Sequence, residues 1–309
     1  MMVSELDLSL LGEIAAVSTS CLWTISSLLF TSAGRKIGPL SLNAYRTLVA
    51  VGFLVVAHAI LFRAILPMAS SAQWFWMGAS GVVGLGIGDS ALFAAYVTIG
   101  PRRSLLVFAS APIFASIGAY LMLGEIIPTL AIVGIALTLV GIVIVLLERG
   151  HSGETLLSRK LESYGVFFAL IGAVGQGVGL VLAKKGIDLY PEMSLDPLSA
   201  TLMRMILGAI SLWAVLLVVG RLPELRRAFY DSKGMTQTVA AAFLGPFLGV
   251  TLSMVAVTYA EAGIAQTLMS LMPVLIIPVV WVLYKQKTSR RGVLGAVIAI
   301  IGVSILFIV

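Results

Sequence analysis

Long apolar runs, broken by short polar punctuation, fill the chain from one end to the other. They lie near residues 10–32, 40–62, 74–99, 104–123 and 127–147, and again near 164–183, 198–219, 236–257, 263–284 and 292–309. About 20 consecutive apolar residues suffice for a helix to cross the hydrocarbon core of a bilayer. Ten such runs therefore predict an all-α membrane protein with ten transmembrane helices. Glycine, proline and charged residues mark the breaks. The longest polar stretch is 148–163, with His151, Glu154, Arg159, Lys160 and Glu162. It reads as a linker between a first half, 1–147, and a second, 164–309.

Composition agrees with the pattern. Of 309 residues, 60% are hydrophobic and 11% charged, against roughly 25% charged in soluble domains. Mean hydropathy is +1.08, so lipid must solvate much of the surface. The net charge of +6 does not point to nucleic acid, because the basic residues sit between the spans. Assigning loops alternately to two sides puts fifteen Lys and Arg on one side and three on the other (Arg63, Lys184, Lys185), with Arg46 and Arg204 inside helices. Positive loops stay cytoplasmic. The richer side is then cytoplasmic, both termini lie outside, and the host is the cytoplasmic (inner) membrane. The first span carries Glu13 and has no basic region before it, which reads as a retained helix and not a cleaved signal. Cys21 is the single cysteine, which excludes an internal disulfide and a cysteine metal cluster.

The two halves resemble each other. Pro39-Leu40-Ser41 and Arg46 match Pro197-Leu198-Ser199 and Arg204 at a spacing of 158. Downstream the spacing becomes 161, and Gly84, Gly88, Pro112, Gly134 and Gly141 fall on Gly245, Gly249, Pro273, Gly295 and Gly302. Five spans per unit is an odd number, so the second unit enters from the opposite side. The predicted architecture is two inverted five-helix repeats, an arrangement typical of secondary transporters with a midplane site between repeats.

These residues resemble the EamA branch of the drug/metabolite transporter superfamily. The likeness is carried by Trp23 in the first span, Arg46 early in the second, Ser110-Ala111-Pro112 and Leu123-Gly124-Glu125 in the fourth, and Gly134 with Gly141 in the fifth. Arg204, Leu271-Met272-Pro273, Gly295 and Gly302 repeat it, while Lys285-Gln286 departs from the expected Gly-Glu pair and Gln176 stands near the place of Trp23. The resemblance implies export of amino acids, metabolites or drugs, or movement of nucleotide-linked and phosphorylated compounds. Because the second repeat supplies an internal partner, the chain is expected to act as a monomer, with membrane lipids as its surroundings and no cofactor. It does not choose the substrate.

Asp89 is the sharpest single signal, midway along the third span with Val250 as its repeat mate. A charge at a helix centre costs roughly 2.5–3.5 kcal/mol on insertion scales, so it belongs in the bundle interior on a functional path. A carboxyl there can take up and release protons, which suggests coupling to a proton gradient; the plainer role is a packing partner. Gly86-Ile87-Gly88-Asp89 resembles the GxGD string of intramembrane aspartyl proteases, but that chemistry needs a second carboxylate, and the other aspartates fall in tails or loops. Gly84 with Gly88, and Gly245 with Gly249, form small-residue faces for close helix packing. Arg46 and Arg204 read first as snorkelling or helix-end groups and second as an anion clamp. Glu13 is a peripheral acid or a second proton or cation site. His58 reads as interfacial. Trp23, Tyr96, Gln176, Thr251, Tyr259 and Gln266 are candidate cavity residues, whereas Trp74, Trp76 and Tyr284 flank spans as belt residues. The methionines Met203, Met205, Met269 and Met272 read as gap-fillers. A P-loop string and an H-E-x-x-H string are absent, so neither nucleotide hydrolysis nor histidine-bound metal is expected. The reading is therefore a secondary transporter for a small molecule, with no catalytic residues. A lipid or lipid-linked carrier of the same fold is the alternative, and a channel is disfavoured by the scarcity of polar stripes.

Overall fold

The computed structural model describes residues 5–146, 156–272, 274–275 and 290–306. Every regular element among them is helical. In chain order these are α1 (Glu5–Ile37), α2 (Pro39–Phe62), α3 (Ser71–Thr98), α4 (Gly100–Phe108), α5 (Ala111–Leu123), α6 (Thr129–Leu146) and α7 (Leu156–Ile187). They are followed by α8 (Pro197–Val218), α9 (Leu222–Phe229), α10 (Ser232–Tyr259), α11 (Ala262–Met269) and α12 (Arg290–Leu306). Six helices, within α1, α2, α3, α7, α8 and α10, are long and apolar enough to cross a membrane. Two shorter apolar helices accompany them, Ala111–Leu123 and Thr129–Ile144. The chain is a multi-pass membrane protein.

Local chemistry sets the helix ends. Gly38, at φ 81°, turns the chain into α2, with Pro39 in the first turn where its missing N–H is harmless. The Pro-Leu-Ser repeat does the same at α8, where the Asp196 carboxylate accepts from the Leu198 N–H at 2.8 Å. Tyr45 Oη donates to the Leu225 carbonyl at 2.9 Å and pins α9, a short amphipathic helix that the sequence reading took as loop. Leu225 and Ala228 of α9 are buried while Arg226 and Arg227 are exposed.

Two further details differ from the sequence reading. The fourth span is not one helix: α4 stops at Phe108 and α5 begins at Ala111. Pro112 explains the break, because its ring would strike the carbonyl four residues back, that of Phe108. At the offset of 161, α11 likewise stops at Met269 and turns through Ser270 and Leu271. The stretch expected to be a linker is also partly helical, since α7 starts at Leu156. Pro273, Tyr284, Lys285, Gln286 and the linker positions His151 and Glu154 lie outside the described residues.

The helical ladder shifts twice to i→i+5 bonding, over Gly81–Gly88 in α3 and Phe243–Gly249 in α10. The Asp89 N–H reaches the Gly84 carbonyl and the Val250 N–H that of Gly245, the same defect 161 residues apart. Pro246 inside the second segment lacks an N–H to hold an ordinary ladder. Such segments re-aim the side chains that follow and occur often at functional sites.

Packing around these segments is close. α7 crosses α3 backbone to backbone, and a Cβ on Gly175 would lie 2.7 Å from the Gly88 Cα. Gly84 and Gly88 are thus a docking face, received by Gly179 and Gly175. Their mates in α10 receive larger groups, with Gly249 against the Trp23 indole and Gly245 against Ser26 and Phe30. α2 packs on α8, and α6 pairs with α12. The remaining central space is bordered by α1, α2, α3, α7, α8 and α10.

Candidate binding site at the bundle centre

The central space is a narrow cavity whose non-atom volume, counted out to its open side, is about 610 Å³. α1 contributes Trp23, Ser26, Ser27 and Phe30. α3 contributes Asp89, Phe93 and Tyr96 immediately after its i→i+5 segment, and Val250 stands in the matching place on α10. Gln176 of α7, Arg46 of α2, Arg204 of α8 and Phe108 at the α4–α5 break complete the wall that matters chemically.

Arg46 and Asp89 form an ion pair across α2 and α3. The guanidinium is 4% and the carboxylate 16% exposed, so the carboxylate is the more open partner of the two. Asn43 organises the pair. Its Oδ1 accepts from Arg46 Nε at 2.8 Å, while its Nδ2 donates to the Leu85 carbonyl at 3.1 Å and to Ser90 Oγ at 2.7 Å. A carbonyl of the distorted segment, the residue that follows Asp89 and the Arg46 guanidinium are thereby tied to one amide. The Arg46 guanidinium carbon also lies 4.8 Å from the Phe93 ring centre and 5.6 Å from that of Phe30, a favourable cation–π arrangement.

Arg204 is equally buried, at 2% exposure, but has no carboxylate in contact among the described residues. Its Nη1 lies 3.4 Å from Met254 Sδ, a weak acceptor, and its Nε has no hydrogen-bond partner. Asp89 is within electrostatic reach of both guanidiniums. One acid thus faces two buried cations.

Of the residues singled out in the sequence, Asp89, Trp23, Tyr96, Gln176, Arg46 and Arg204 line this cavity. Gln266 is fully buried one layer behind, with its Oε1 3.4 Å from Gln176 Nε2. Three others do not line it. Thr251 is turned back on its own helix, donating to the Phe247 carbonyl at 2.6 Å. Tyr259 is at the exposed end of α10. Glu13 is buried near that same end, because the neighbouring Gly12 packs on the backbone of Tyr259 and Ala260. The arginines are not snorkelling, since both are buried. His58 is buried as well, its ring nitrogens 2.6 Å from the Ala64 carbonyl and 3.2 Å from Ser199 Oγ. The Asp89 carboxylate faces guanidiniums, and among the described residues no second acid contacts it.

Asn43, Ser26, Ser27, Phe30, Phe93 and Phe108 were not anticipated. The Arg46–Asp89 pairing itself had a signal. Interior charges in a membrane must find partners, and few charges lie inside the spans at all.

A second polar cluster lies at the end of the bundle where α5, α7 and α10 finish. Lys184 Nζ is 2.7 Å from Glu125 Oε1 and donates to the Ala260 carbonyl at 2.7 Å. Glu125 Oε2 accepts the Ala262 N–H at 3.0 Å. Asp188 and Glu261 are adjacent. Desolvation holds the Asp188 carboxyl above its usual range, with Lys184 opposing and Glu125 reinforcing. Desolvation raises Glu261 too, reinforced by Glu125 and opposed by Lys184.

A helical bundle built of membrane-crossing segments around a buried, charged central cavity is the class of a membrane transporter. The chain belongs to the EamA-like transporter family, whose model matches it twice, at residues 10–147 and 163–308. A protein of Clostridium kluyveri described as an uncharacterized transporter is 25% identical over 234 residues, covering 74% of this chain and 70% of that protein. A solved crystal structure, described only as that of a protein, aligns with a TM-score of 0.71 at 17% identity over 95% of both chains, which bears on the fold.

Proposed function

We propose that the protein is a secondary transporter that moves a small metabolite outward by alternating access, with two inverted five-helix repeats rocking about the central cavity. The observation that carries this reading is the cavity itself. It lies where the two family units meet and is bordered on each side by the same ladder shift, preceding Asp89 and Val250. Repeats that can exchange conformations expose such a cavity alternately to the two faces. Export is driven by protons exchanged at Asp89.

The loops rich in Lys and Arg lie on the cytoplasmic side of the inner membrane. The test is counterflow in proteoliposomes of the purified chain. Saturable, competable exchange that responds to an imposed pH gradient supports the reading, and a non-saturating flux refutes it. Asp89→Asn should retain downhill exchange and lose the response to the pH gradient.

A further inference from the structure

We propose that the substrate is an organic anion, and that its negative group binds Arg204 in the place of a carboxylate the second half lacks. The inference rests on the transporter reading above and adds its substrate class. In the first half, Arg46 is met by Asp89. At the offset of 161, the mate of Asp89 is Val250, 5% exposed and lining the same cavity. A valine thus stands in the second half at the position that supplies the oxyanion in the first. Arg204 is 98% buried, its Nε has no partner, and its only bonded neighbour among the described residues is a thioether sulfur.

Among the described residues, two guanidiniums and one carboxylate line the cavity, one positive charge in excess. Glu13, also within a span, does not line it. A buried guanidinium is expensive to leave uncompensated, and its planar fork binds carboxylate or phosphate oxygens in pairs. A ligand with one anionic group neutralises the site. A zwitterion leaves the excess in place, and a cation increases it. The rest of the wall is aromatic, from Trp23, Phe30, Phe93, Tyr96 and Phe108, so the anionic group should be carried on an apolar or aromatic body.

The experiment compares four probes of similar shape and different charge on the purified full-length chain: benzoate, phenyl phosphate, benzamide and benzylammonium. Binding is read from ligand-dependent thermal stability, which rises for ligands of the folded state. Benzoate or phenyl phosphate should stabilise at least tenfold lower concentration than benzamide, and benzylammonium should not bind. Which of the two anions binds more tightly separates a carboxylate substrate from a phosphate ester. Val250→Asp supplies the missing carboxylate from within and should weaken anion binding at least tenfold. Arg204→Gln should do the same by removing the cation, and it serves if Val250→Asp does not fold. Equal binding of benzamide, anion binding unchanged in both variants, or no binding of either anion would overturn the proposal. Saturable counterflow of a neutral or cationic compound, unaffected by Arg204→Gln, would also overturn it while leaving the transporter reading intact. Absence of saturable counterflow for compounds of every charge would sink both.

Discussion

Three single substitutions around the cavity should differ in stability in an order set by charge balance. Asp89→Asn keeps the shape but removes the carboxylate that, among the described residues, is within reach of two buried guanidiniums. Breaking a buried pair by deleting one partner costs about 3–5 kcal/mol, and a unit charge pair 4 Å apart at an effective dielectric near 20 is worth about 4 kcal/mol. Asp89→Asn strands two cations and belongs at the upper end of that range. Arg46→Met leaves Asp89 with Arg204, which can compensate it. Its loss is mainly the stacking on Phe93 and Phe30 and the bond to Asn43, about 2 kcal/mol. Arg204→Met leaves the Arg46–Asp89 pair intact and the cavity neutral, so stability should stay within about 1 kcal/mol of the parent or rise. The assay is apparent melting in a fixed detergent at one heating rate, with the rank order as the readout because membrane-protein melting is usually irreversible. An Arg204→Met variant as unstable as Asp89→Asn would refute the charge account.

Other expectations follow from the same geometry. Gly175→Val must force α7 away from α3 at the Gly88 contact and should cost about 1–3 kcal/mol, read by the same melting assay. Because Asp188 and Glu261 hold protons more tightly folded than unfolded, their favourable contribution is complete below their ordinary values of 3.8 and 4.5 and is lost as pH rises above them. Asp188→Asn with Glu261→Gln should flatten the decline of stability on that side, and Lys184→Gln should steepen it, as a pH series of melting curves would reveal. Reporter fusions to both ends should report an external location, and a cytoplasmic signal from either would reverse the assignment drawn from the Lys and Arg asymmetry.

The long spans were legible because bilayer thickness imposes a run length that composition cannot hide. The break at 109–110 was signalled by Pro112, whose ring excludes a continuous helix, but hydropathy alone runs straight through it. The i→i+5 segments were not legible. Over eight residues such as Gly81–Gly88 the apolar pattern cannot distinguish one ladder from the other, and an all-apolar segment carries no phase. Asp89 stood out by cost and Arg46 and Arg204 by recurring in both halves, yet the pairing of Asp89 with Arg46 spans 43 residues and depends on how α2 and α3 pack. Asn43 was invisible for the same reason, since its role is a set of contacts. Tyr259 and Thr251 were misplaced because helical phase and depth along α10 are reset by the ladder shift that precedes them.

The central claim is that one cavity opens alternately to both faces of the membrane. Cys21, the single cysteine, can be replaced by serine, and Ser253, which lines the cavity and is 1% exposed, by cysteine. Labelling of that Ser253→Cys variant with a membrane-impermeant maleimide, added to one side of sealed vesicles at a time, should succeed from each side. A transported ligand or an imposed pH gradient should raise the rate on one side while lowering it on the other. Labelling confined to one side under every condition, or rates on the two sides that rise and fall together, would contradict alternating access.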